Sequence, residues 1–88
     1  MRIYRNHNLG IEEARKRADL IAEDLRQQYS VTTRWQGDSM HVQGTGLTGQ
    51  LLVDEHHIEL QVKLGLALKL MEGPIRSMIE KTIDEELA

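Results

Sequence analysis

The chain is expected to fold as an α+β two-layer sandwich: an antiparallel sheet with two helices on one face, in the order β-α-β-β-β-β-α. Three observations predict this. Ile58, Leu60, Val62 and Leu64 alternate with Glu59, Gln61 and Lys63, and then Ile75, Met78, Ile79, Ile83 and Leu87 follow at helical spacing. A period of two therefore gives way to a period near 3.6. Four alternating segments stand in a row, separated by turns too short for a parallel crossover, so they form an antiparallel meander. Finally, one face of those segments is polar, carrying Thr32, Arg34, Gln36, His41, Gln43, Thr48, Gln50, His57, Glu59, Gln61 and Lys63, with Leu52 as its apolar exception. A face of that kind belongs in water, which puts both helices on the other side.

Taken in order, the chain begins with a short strand expected over Ile3 to His7, which most easily pairs with the last strand. Gly10 is placed to cap the following helix. Glu13 is spaced to reach back to the cap, and Leu9 and Ala14 sit at staple positions. Ile11, Ala14, Ala18, Ile21 and Leu25 form one apolar stripe over about five turns. Its two alanines would let the helix lie close on a sheet. Glu12–Lys16 and Glu13–Arg17 are acid-before-base pairs four apart, worth roughly 0.2–0.5 kcal/mol each.

The meander follows. Val31, Thr33 and Trp35 alternate with polar neighbours before the turn at Gly37-Asp38. Met40 and Val42 lead to the Gly44-Thr45-Gly46 turn. Leu47, Gly49, Leu51 and Val53 lead to Asp54-Glu55-His56. Glycine at position 49, in the middle of a strand, points to a bulge or a close approach. Gly73-Pro74 punctuates the apolar run before the last helix.

Length and composition set further bounds. Eighty-eight residues predict one domain. Phenylalanine and cysteine are absent and Trp35 is the sole indole, so the core must be aliphatic and neither disulfide nor thiolate metal site is available. The opening MRIYRNHNLG has no apolar stretch of a signal peptide, and Leu64 to Met71 is too short to span a bilayer. With a net charge of −3 and no stacking aromatics expected on the open sheet face, no nucleic-acid partner is expected.

Chemistry-bearing motifs are sparse. His41 and His57 share the outer face but lack a convincing third ligand, so no metal residues are expected. Gly44-Thr45-Gly46-Leu47-Thr48-Gly49 does not open a helix and reads as a hairpin rather than a phosphate cradle. The carboxylate pairs lie in caps and turns. No catalytic or cofactor-binding residue emerges, and a protein that is not an enzyme is expected.

The apolar run after the last strand exceeds structural need. Leu66 pairs with Leu70 and Ala67 with Met71 at four-residue spacing, but one core-facing stripe of about 100° cannot bury both pairs and Leu68. Leu66, Leu68, Leu70 and Met71 are therefore candidate contact residues for a partner, including a second copy of the chain.

Taken together, Arg5-x-His7-x-Leu9, Glu12-Glu13-Ala14-Arg15, Trp35-x-Gly37-Asp38, Val62-Lys63-Leu64-Gly65-Leu66 and Gly73-Pro74-Ile75 give the chain a likeness to a known family. In that order and spacing they resemble the polyhydroxyalkanoic acid system family of small bacterial proteins, over nearly the whole chain. The resemblance implies a cytoplasmic accessory role at polyhydroxyalkanoate storage granules, with the granule surface or a granule protein as partner. It carries over no catalytic residues. The rival reading, by analogy of fold, is a helix-grip carrier holding an acyl or other hydrophobic ligand between its layers. A chamber of ~300–1,000 Å³ between sheet and helices would separate the two readings.

Overall fold

The computed structural model describes residues 1–88. In chain order the elements are β1 (Arg2–Asn6), α1 (Gly10–Tyr29), β2 (Thr32–Gln36), β3 (Ser39–Gly44), β4 (Leu47–Val53), β5 (His57–Leu64), α2 (Leu66–Lys69) and α3 (Glu72–Leu87). The five strands make one antiparallel sheet in the order β1-β5-β4-β3-β2. The expected α+β order holds, with the one-turn α2 added between the last strand and the last helix. β1 does join the sheet, antiparallel to β5, with Ile3 opposite Leu60.

Register follows from the alternation, because a slip of one residue would turn every side chain to the other face. Val42, Leu51, Leu60 and Val62 are buried, while His41, Gln43 and Lys63 are exposed and Gln50 and Gln61 half-exposed. Eighteen aliphatic residues form one core cluster, drawn from the inner face of the sheet, from α1 (Ala14, Ala18, Ile21, Ala22, Leu25) and from α3 (Ile75, Ile79, Ile83). α3 runs antiparallel along α1: Thr82 donates to Asp24 at 2.8 Å, and Arg17 reaches the carbonyl of Glu86.

Several local expectations are corrected. Gly10 is not the cap. The cap is Leu9, which makes no side-chain hydrogen bond there, and Gly10 takes φ +78° to turn the chain into the helix, a conformation glycine adopts without a Cβ penalty. Glu13 does not reach back to the cap but turns to Arg17 (3.1 Å) and Lys16 (4.0 Å), so the Glu12–Lys16 pair does not form. Met78 is exposed, because the buried stripe of α3 runs through Ile75, Ile79 and Ile83 and leaves position 78 beside it. Tyr4 stands on the outer face of β1, stacked at 5.1 Å against His57, so that face carries one edge aromatic. Trp35 keeps its inward phase, half-buried against the core.

Gly49 makes no bulge, since the pairing Val42–Gly49–Val62 is unbroken across β3, β4 and β5. The close approach is that of a neighbouring strand. A Cβ at position 49 would lie 2.2 Å from the carbonyl oxygen of Gln61 and 3.2 Å from Val62 Cα. Those are backbone atoms of a paired strand and cannot swing aside. Gly49→Ala is expected to cost about 1–3 kcal/mol and lower Tm by at least about 5 °C. A thermal melt with Tm unchanged would refute this account of the glycine.

Candidate functional site

The surplus apolar run resolves into an inward and an outward set. After Gly65, the single turn of α2 directs Leu68 toward the sheet, where it packs on the core beside Gly46. Successive residues on a helix advance about 100°, so positions two before and two after Leu68 face the opposite way. Leu66 is accordingly 88% exposed, Leu70 92% and Met71 53%. Three of the four residues singled out by sequence thus share an exposed tip, and Leu68 belongs to the domain's own packing. Lys69 and Glu72 border the tip.

The outer face of the sheet is the second candidate. Its largest hollow has a volume of about 530 Å³ and is lined by His41, Gln43, Thr48, Gln50, Gln61 and Lys63 together with Met1 and the strand backbone. Gln50 donates to Gln61 at 3.3 Å, and Gln61 donates to Glu59 at 2.5 Å. Arg2 pairs with Glu59 at 2.9 Å. These bonds, Arg2 first and Gln61 next, hold the Glu59 carboxyl below the usual carboxylate range. No residue of α3, and of α1 only Gly10, lines any of the five hollows.

The histidines do not converge. No three His, Asp or Glu side chains come together in an arrangement that could hold a metal ion. His57 leans on Asp54, with Nδ1 at 3.1 Å from Oδ1. The same carboxylate oxygen accepts the backbone N–H groups of His56 (2.8 Å) and His57 (2.7 Å), closing the β4–β5 turn. The His56 bond and then the His57 bonds hold Asp54 below its usual pKa. A carboxyl depressed in the folded state adds stability that is present above the unfolded pKa and lost as pH falls through the folded one. Asp54→Ala is therefore expected to lower Tm at neutral pH and to flatten the loss of Tm below about pH 4. Parallel melts of both chains from pH 7 to pH 2 check this, and superimposable acid limbs would contradict it.

A family model described as polyhydroxyalkanoic acid system protein, of the granule region, matches residues 1–87. The chain belongs to that family. No curated protein and no solved structure matches it. The family's description points to polyhydroxyalkanoic acid systems and names no reaction.

Several of the residues that carried the sequence resemblance tie one element to another. Arg5 ties β1 to α3, with Nε at 2.8 Å from Asp84 and Nη2 at 3.0 Å from Glu80. His7 is buried; its Nδ1 accepts the N–H of Leu9 at 3.1 Å, so Nε2 carries the hydrogen and donates to the carbonyl of Asp54 at 3.0 Å. One ring thereby joins the start of α1 to the β4–β5 turn. The indole N–H of Trp35 donates to Asp19 of α1 at 2.8 Å. Arg15, which reads in sequence as a residue of a solvated helix face, completes that clamp. Its guanidinium lies 4.1 Å over the Trp35 ring and donates to the Gly37 carbonyl (2.8 Å) and to Asp38 (2.7 Å). Trp35-x-Gly37-Asp38 is thus a receptor for Arg15. Its partner lies on another element, so no local pattern announces it.

Proposed function

We propose that this protein is a non-enzymatic accessory factor acting in the cytoplasm on polyester storage granules. It docks on the hydrophobic granule surface through Leu66, Leu70 and Met71. The observation that supports this is the exposure of two leucines near 90% at one tip of a chain that belongs to this family. Each fully exposed leucine forgoes roughly 1.5–3 kcal/mol available on burial. A polyester surface offers alkyl groups and ester oxygens but no hydrogen-bond donors. Leucine and methionine side chains can cover it without leaving a donor unpaired. No helix is long and apolar enough to cross a membrane, and a surface-docking tip does not need one.

The carrier reading has no comparable support. The space between the layers is occupied by the aliphatic cluster, and no hollow is lined by both sheet and α3. A granule-coat protein and a second copy of this chain are the other occupants the tip could meet, and the experiment separates them. Purified protein is mixed with native granules and with granules stripped of protein, and co-sedimentation and solution mass are measured. Binding to both granule preparations by a monomer is the expected result. Binding to native granules only would reassign the tip to a coat protein. A dimer whose mass falls when Leu70 is replaced would assign it to self-association.

A further inference from the structure

One arginine on the outer face of the sheet stands apart from the other arginines of the chain. Arg2, Arg5, Arg15, Arg17, Arg26 and Arg76 each donate to an acceptor within the protein. Arg34 has none, and neither do His41, Lys63 or the side-chain amide of Gln43; these groups lie in two adjacent rows of the sheet. One row runs Arg34, His41, Gln50, Gln61 across four strands, and the next runs Thr32, Gln43, Thr48, Lys63. A second hollow, of about 220 Å³, is lined by Thr32, Thr33, Arg34, His41 and Gln43. It shares His41 and Gln43 with the 530 Å³ hollow, so the two form one groove from Arg34 to Lys63. No carboxylate lines either hollow, although the chain's net charge is −3. Glu59, the one acid on this face of the strands, is already held by Arg2 and Gln61.

We propose that this groove binds a soluble, carboxylate-ended oligomer of a hydroxy acid. The carboxylate sits on the Arg34 guanidinium, whose planar fork matches it with two parallel N–H donors. Gln43 and Gln50 are placed along the rows to donate to ester carbonyls, and Lys63 meets the far end. With strands about 4.8 Å apart, Arg34 and Lys63 stand on the order of 14 Å from each other, the reach of a short oligomer rather than of a single acid. The hydroxy-acid identity rests on the storage-polyester reading above; the preference for an anion rests on the groove alone.

The test is a titration of ¹⁵N-labelled protein with the linear trimer of 3-hydroxybutyrate at low ionic strength, followed by amide shifts. Saturable shifts are expected at Arg34, His41, Gln43, Gln50 and Lys63. The trimer's methyl ester and the Arg34→Gln variant should each bind about five- to tenfold more weakly. Arg34 has no partner to lose, so the variant should keep its Tm, and the ester arm needs no variant at all. Shifts absent from the groove, shifts centred on Leu66 to Met71, or an ester that binds as well as the acid would overturn the proposal. A rise in solution mass on adding trimer would give the face to a second copy and overturn it too. Granule co-sedimentation reads the tip independently. If granules sediment the protein and the trimer does not bind, the groove proposal alone fails; if the trimer binds and granules do not sediment the protein, the docking reading alone fails.

Discussion

Leu60→Ala is expected to cost roughly 2–5 kcal/mol, in a protein whose total stability is on the order of 5–10 kcal/mol. Leu60 is completely buried. It lies beside Ile3 on β1 and Leu51 on β4, with Ile58 and Val62 before and after it on the same inner face. All four neighbours are themselves fixed by strand pairing, so the hole left by the lost methyls cannot close by local collapse. The transfer term and the cavity term then add. At about 4–8 °C per kcal/mol for a domain of this size, Tm should fall by at least about 10 °C. Gln61→Ala, one residue away on the wetted face, is the control and should change Tm little. Equal losses at positions 60 and 61 would mean that β5 does not present alternate residues to two different environments.

That control states why most of this fold was legible in its sequence. A sheet with one wet face writes its register into the chain every second residue, and Ile58 to Leu64 does so without exception. The stripe of α1 was legible for the same reason, since Ala14, Ala18, Ile21 and Leu25 fall on one side of a 3.6-residue period and are all buried. What escaped were the contacts whose partners are distant in sequence. Arg15 looks solvated until β2 is brought beside α1. His7 looks like the end of a strand until Asp54 arrives from the β4–β5 turn. The polar groove is the same case on a larger scale. Alternation placed Arg34, His41 and Lys63 on one face, but only the pairing of β2 through β5 shows that they lie in adjacent rows with no acid among them. Met78 was misplaced because spacing allows positions 75, 78 and 79 on one stripe, and contact with α1 selects the narrower line through 75, 79 and 83.

The sharpest expected contrast is between Leu68→Gln and Leu70→Gln. Both lie in the run that sequence marked as surplus, and both changes replace leucine with a polar side chain of similar length. Leu68 is half-buried and packs on the core beside Gly46, so a glutamine there gives up apolar packing and sets a polar amide against aliphatic side chains. That substitution should destabilise the fold by about 1–3 kcal/mol, and loss of granule binding would follow only in proportion to unfolding. Leu70 is 92% exposed, and a glutamine there should leave the stability within about 0.5 kcal/mol of the parent's. It removes half of the leucine pair that the docking reading places against the granule surface. Co-sedimentation with protein-free granules should therefore fall several-fold for the folded Leu70→Gln protein, and further when Leu66→Gln is combined with it. Circular dichroism melts, solution mass and granule co-sedimentation on the same preparations read all of these effects. A Leu70→Gln protein that stays folded, keeps its mass and sediments with granules like the parent would sink the docking role of the tip.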